Sequence, residues 1–237
     1  MGVRSNEAVK ADLDNPALDS RDDFIHGVIE ARGGTCASLP ILYVAVGRRL
    51  GYPMNLVKTA RHLFARWDDP GGERFNIEIS NAGGMDTPPD DHYLDWPMPI
   101  RDTHWQDVYR FRSLSPREEL AMAWAKRGYC LRDNARLREA VDAFAVAWSL
   151  TPDDMLAEGS LQVAMAEWKA TFPSWIEQRQ RLGIEWPPRL YPGLPIELEQ
   201  DIIELAVYEH RLVSEPTTAC WTVVKPPFLC LETPHIL

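Results

Sequence analysis

Two short runs around one strong turn constrain the fold more than anything else in the chain. Arg74–Ser80 alternates Phe75, Ile77 and Ile79 with Asn76, Glu78 and Ser80, the period of a half-buried strand. His62–Trp67 precedes it as an extended segment, and the Asp68-Asp69-Pro70-Gly71-Gly72 between them is turn chemistry. Residues 62–80 are therefore expected to form a β-hairpin. With that whole stretch in the loop, Trp67 pairs with Glu73 and His62 lies opposite Glu78, with Asn76 two residues along the same strand. These three polar residues have even numbers and share one face of the sheet. Leu63, Ala65, Phe75, Ile77 and Ile79 take the other face and pack on the core. Met54–Ala60 reads as a further extended segment.

A helix is expected before the sheet. Gly33-Gly34 breaks the chain, Thr35 is a good N-cap, and Leu39, Leu42, Tyr43, Val46 and Leu50 recur on one helical face. Gly51 supplies a left-handed end and Pro53 prevents continuation. Pro40 removes one backbone donor from the first turn. Cys36 then sits at the mouth of this helix, where the macrodipole and unpaired N–H groups favour the ionised, nucleophilic sulfur. The same N–H groups are placed to receive an oxyanion. A cysteine nucleophile needs a base, and His62 opens the following hairpin. A polar residue across from His62 orients its ring, and Glu78 and Asn76 both qualify.

The run RGGTCASLPILYVAVGRRLGYP, then RHLFARWD, then ERFNIE resembles the transglutaminase-like superfamily of papain-type fold, densest over residues 24–100. In particular it is similar to the bacterial SirB-type branch, in which this domain precedes tetratricopeptide repeats. The resemblance implies an α+β fold: a helix with the catalytic cysteine at its start, packed on an antiparallel sheet bearing His and Asp. Position by position, Cys36 matches the nucleophile and His62 the general base. The acidic member falls on Glu78, where the wider family usually has Asp; Asn76 competes with it, since papain-type relatives use Asn to orient the imidazole. The segment before Cys36 is shorter than is usual in the family, which implies that part of the cleft wall, and any side chain completing the oxyanion hole, is either missing or supplied differently.

Beyond residue 115 the pattern is helical. Ser115-Pro116-Arg117-Glu118 reads as a helix start, with a second helix over Leu137–Leu150 and a third over Ile196–Val213. Trp124, Gly128, Ala140, Phe144, Ala147 and Pro152 resemble the large, Gly, Ala, aromatic, Ala and Pro positions of one tetratricopeptide repeat starting at Ala121. Agreement over 155–188 is weak, and an isolated repeat is expected to dock on neighbouring structure. Residues 170–195 read as irregular packing. The division expected is a transglutaminase-like domain over 1–112, a helical repeat-like region over 113–215 and an unassigned tail over 216–237.

Composition excludes several classes. The chain has 237 residues with 25 Lys and Arg against 35 Asp and Glu, a formal charge of -10, and its longest basic run is two residues. It is not expected to bind nucleic acid. No apolar stretch is long enough to span a bilayer, and the N-terminal residues lack a signal-peptide core, so no membrane association and a cytoplasmic location are expected. The opening MGVRSN matches only a short, loose N-myristoylation pattern. Cys36, Cys130, Cys220 and Cys230 are widely spaced, without Cys-x-x-Cys or His-Glu-x-x-His, so no metal or cofactor is expected. The function expected is a cysteine hydrolase or acyltransferase acting on an amide or ester, with a protein or peptide as substrate or partner. The alternative is an inactive scaffold of the same fold that binds a protein partner through its helical region.

Overall fold

The computed structural model describes residues 20–30, 33–59, 62–80, 85–97, 99, 111–175, 184 and 186–213. The myristoylation pattern, Cys220, Cys230 and the tail lie outside the described residues. Two short helical turns, α1 (Ser20–Asp23) and α2 (Ile25–Ile29), lead into α3 (Ser38–Arg49). The sheet follows as β1 (Met54–Lys58), β2 (Leu63–Asp68) and β3 (Arg74–Ile77), antiparallel in the order β1-β2-β3. A covering segment carries the short α4 (His92–Asp95), and then come α5 (Pro116–Asp133), α6 (Leu137–Leu150), α7 (Met155–Ala170) and α8 (Ile196–Val213).

The expected hairpin is present, with a register two residues away from the expected one. Ala65 pairs with Ile77, Arg66 with Asn76, Trp67 with Phe75 and Asp68 with Arg74. The reason lies in the turn. Asp69 N–H donates to the Glu73 carbonyl at 2.9 Å, so these residues continue the pairing and Pro70-Gly71-Gly72 alone forms the tip. Gly72, at φ +104°, takes the left-handed position that glycine enters without strain, and Asp69 Oδ1 accepts from the Gly71 N–H at 3.1 Å. A shift of two preserves the parity of every side chain, so the two faces are divided as expected, but Phe75, expected in the core, is exposed near the strand's start and stacks on Trp67.

The odd-numbered face packs on α3. Leu63, Ala65 and Ile77 join Val44, Met54 and Leu56 in one buried cluster, with Ile41, Trp67 and Ile79 at its edge. The helix face differs from the expected one. Pro40, Val44 and Gly47 are buried with Leu39, whereas Tyr43, Val46 and Leu50 are exposed. Gly47 explains the choice: a Cβ there would come within 2.5 Å of Met54 Cγ, so β1 seats against the helix only where the side chain is missing. The even-numbered face is covered by residues 85–97 and by Phe111. Val57, Phe64 and Tyr93 form a second buried cluster there, with Tyr93 stacked on Phe64.

The helical part does not stand apart from the sheet. Leu114 N–H donates to the Leu56 carbonyl at 2.8 Å and Ser113 bridges Val57, so the chain entering α5 extends the edge of β1. Met122 of α5 packs against the α3-facing cluster. At its start α5 carries the expected capping box: the Ser115 hydroxyl accepts from Glu118 N–H while the Glu118 carboxylate accepts from Ser115 N–H. Gly128 and Phe144 hold α5 and α6 together, and Ala140 and Ala147 of α6 are buried. α7, unexpected as a full helix, begins at Asp154, whose carboxylate accepts from the N–H groups of Leu156 and Ala157. Trp168, Trp175, Tyr191 and the α8 residues Ile202, Leu205 and Tyr208 complete the largest core.

Candidate active site

Cys36 lies in the turn that opens α3. Two residues of local chemistry build that turn. Thr35 Oγ1 accepts from the N–H groups of Ala37 at 3.1 Å and Ser38 at 3.4 Å, and the Thr35 carbonyl accepts from Leu39 N–H. Ser38 Oγ in turn accepts from Thr35 N–H at 3.0 Å, a reciprocal arrangement like a capping box. The sequence assigned those N–H groups to an oxyanion; three of them are instead committed to Thr35. The Cys36 thiol is partly exposed and lines a cleft together with His62.

His62 directly precedes β2. Its backbone is tied to the end of β1, since Thr59 N–H donates to the His62 carbonyl and His62 N–H donates to Thr59 Oγ1 at 3.0 Å. The ring is buried between Trp96, which meets it edge-on at 4.6 Å, and the stacked pair of Tyr93 and Phe64. Nε2 meets Glu78 Oε2 at 2.7 Å, which leaves Nδ1 as the nitrogen for the thiol. Burial alone would lower the pKa of this imidazole. The neighbouring Cys36 sulfur and the hydrogen-bonded Glu78 carboxylate outweigh it and raise the pKa from 6.5 to about 9.

Glu78 is fully buried, and its carboxylate is satisfied on both oxygens. Oε1 accepts from Ser80 N–H at 2.8 Å and from Ser80 Oγ at 2.5 Å, while Oε2 accepts from Tyr93 O–H at 3.2 Å as well as from His62. Burial works to raise its pKa, but the His62 and Ser80 hydrogen bonds prevail and lower it. The carboxylate is therefore held ionised against the imidazole.

Asn76 is not at the imidazole. Its Oδ1 accepts from Arg66 Nε at 2.7 Å, and its Nδ2 donates to the Pro88 carbonyl at 3.0 Å and to Asp90 Oδ1 at 2.7 Å. Arg66, fully buried, also bonds Asp90 Oδ1 and the Phe111 carbonyl. This second polar group on the same face locks the covering segment onto the hairpin one step away from His62 and Glu78. Residues Cys36, His62 and Glu78 are thus brought together, and Asn76 is used elsewhere.

A model of the transglutaminase-like superfamily matches residues 12–90. Those residues form a transglutaminase-like domain. The matched span contains Cys36, His62, Glu78 and Asn76, and its helices and small antiparallel sheet agree with the α+β character of such domains. No curated protein and no solved structure matches the chain.

Two partners of Glu78 were not singled out from sequence. Ser80 continues the even-numbered polar series Asn76, Glu78, Ser80, so parity was its available signal. Tyr93 reads in the sequence only as an anchor of a long loop, and nothing local says which face of the sheet it covers. In front of Cys36 lies a cleft of about 900 Å³, whose far side is built by α5, α6 and α7. Among the described residues no group of three His, Cys, Asp or Glu side chains is placed to hold a metal ion, and no helix there is long and apolar enough to cross a membrane.

Proposed function

We propose that this protein is a cysteine hydrolase or acyltransferase that cleaves an amide or ester through Cys36, His62 and Glu78. The observation that carries the reading is the buried His62–Glu78 pair at 2.7 Å, which lines one cleft with the partly exposed Cys36 thiol in the turn that opens a helix. In this reading the Cys36 sulfur attacks the carbonyl carbon, and its proton resides on His62. The C–S bond forms, the Cys36 N–H donates to the oxyanion, and the imidazolium returns the proton to the departing nitrogen or oxygen as that bond breaks. A thioester on Cys36 remains. Water or an amine then attacks it, giving its proton to His62, and the thiolate leaves and is reprotonated. Glu78 fixes the ring and stabilises the imidazolium throughout.

We propose further placements for the chain. The domain is of the SirB type, the pair α5–α6 is a tetratricopeptide-like unit with Gly128, Ala140 and Ala147 at its close contact, and the protein is cytoplasmic and bacterial. The substrate or partner is a protein or peptide.

Acylation with p-nitrophenyl acetate tests the reading. The expected product is an acetyl group on Cys36, located by peptide mass mapping, released by hydroxylamine and slowed at least about tenfold by His62→Ala. Acetylation of Cys130 as fast as of Cys36 would overturn it and leave the alternative, an inactive scaffold that recruits a partner through its helical region.

A further inference from the structure

We infer that the helical region forms the acyl-group pocket of this site, and that the substrate's acyl group carries a bulky apolar side chain or chain; this rests on the cysteine-nucleophile reading above. The near wall of the cleft is Cys36, Ile41, His62 and Leu63. The far wall is Ala121, Met122 and Ala125 on one face of α5, Leu150 at the end of α6, and Leu156 and Ala157 at the start of α7. None of these far-wall residues falls in the matched span of 12–90.

Most of the charged side chains that line the cleft are engaged by other groups of the protein, and Asp153 lies exposed on it. Lys58 pairs with Asp154 at 3.7 Å, Lys126 with Asp23 at 3.4 Å, and Arg112 with Glu118. Arg117 donates to the Ser149 carbonyl at 3.1 Å. Two of these pairs, with Arg48–Glu119 at 2.7 Å, join the helices to the domain carrying Cys36, so the far wall is fixed in place. The surface left to meet a substrate is apolar and small-residued on α5. A charged acyl group placed there would lose water without gaining a partner, whereas an apolar one is favoured. The volume, about 900 Å³, is at the upper end of cavities that take drug-sized ligands, about 300–1,000 Å³, so an acetyl group leaves it largely empty.

Acylation of Cys36 by p-nitrophenyl acetate, p-nitrophenyl hexanoate and the p-nitrophenyl ester of N-acetylphenylalanine measures this, each rate divided by that of the same ester with a free small thiol. At least one apolar ester is expected to exceed acetate by about tenfold or more. The phenylalanine ester leading identifies a peptide-like donor, and hexanoate leading identifies an alkyl acyl donor. Ala125→Trp, which fills the cleft, and Ala125→Glu, which charges it, are each expected to reduce that preference by about fivefold or more. Either variant suffices should the other not fold. Equal normalised rates for all esters, or a preference that both variants leave intact, would overturn the inference while His62-dependent acetylation of Cys36 upholds the site. Failure of every ester at Cys36 would overturn the site, and the inference with it.

Discussion

His62 lies diagonal to Glu78 across the β2–β3 ladder. Arg66 pairs with Asn76, so the same register continued places Phe64 opposite Glu78 and Ser80 opposite His62. Diagonal neighbours on one face are still within reach of long side chains. The imidazole and the carboxylate meet at 2.7 Å, and the residue opposite the histidine, Ser80, grips the other carboxylate oxygen. A glutamate suits this diagonal because its longer side chain spans what a directly opposed residue would not need to span.

The pair makes stability depend on pH in a defined direction. His62 has its pKa raised from 6.5 to about 9 in the folded protein. A raised value means that its stabilisation is complete below 6.5 and is lost as the pH climbs through about 9. Glu78, with its pKa lowered, contributes stability that is present above the ordinary carboxylate range and is lost on acidification. Thermal unfolding measured from neutral to alkaline pH should show a Tm that declines across the His62 window. In His62→Gln that decline should flatten. Parallel curves for the two proteins would contradict the assignment.

Arg66 carries a separate prediction, about the fold. It is fully buried and bonds Asn76, Asp90 and the Phe111 carbonyl; Arg66→Met takes the donor from the buried Asn76 Oδ1, whereas Asp90 keeps Asn76 and Arg74, and the Phe111 carbonyl keeps Arg74. Leaving a buried acceptor unsatisfied costs about 1–3 kcal/mol, measurable by urea unfolding. Arg66→Lys should recover little of it, because an ammonium cannot reproduce the guanidinium fork. A loss below about 1 kcal/mol, the range of an exposed pair, would show that the covering segment is held by its aromatic residues alone.

How much was legible in the sequence follows from which forces act locally. The helix start at Ser115 was legible because the capping box closes within four residues. The shared face of His62 and Glu78 was legible because side-chain parity survives a register shift of two. The pairing itself was not, since Asp69 and Glu73 continue the ladder and only the folded turn reveals it. The buried face of α3 was misread for a tertiary reason: Gly47 admits Met54, and the larger Tyr43, Val46 and Leu50 are left outside. The clustering of Tyr93 on Glu78 and of α5–α7 on the cleft depends on contacts far apart in sequence, which no local pattern encodes.

Gly128 tests the packing of the helical region. A Cβ at this position would stand 2.6 Å from the Phe144 ring, closer than real contacts allow. Gly128→Ala should destabilise by about 1–3 kcal/mol through overpacking. Combined with Phe144→Leu, which opens the space, it should cost less than the sum of the two, with a coupling of about 1 kcal/mol. Additivity in the double-mutant cycle would mean that the two helices are not in contact there.

If Cys36, His62 and Glu78 act as one unit, the alkylation kinetics of the thiol depend on the imidazole. The measurement is the second-order rate of iodoacetamide reaction at Cys36 from mildly acidic to alkaline pH, in the native protein and in His62→Ala, with Cys130 as the internal reference. Cys130 is buried, and that burial raises its pKa to about 11. The account predicts that Cys36 reacts below neutral pH at least about tenfold faster than Cys130, and that His62→Ala abolishes most of the difference. Equal labelling of the two cysteines, or a fast Cys36 indifferent to His62, would contradict it.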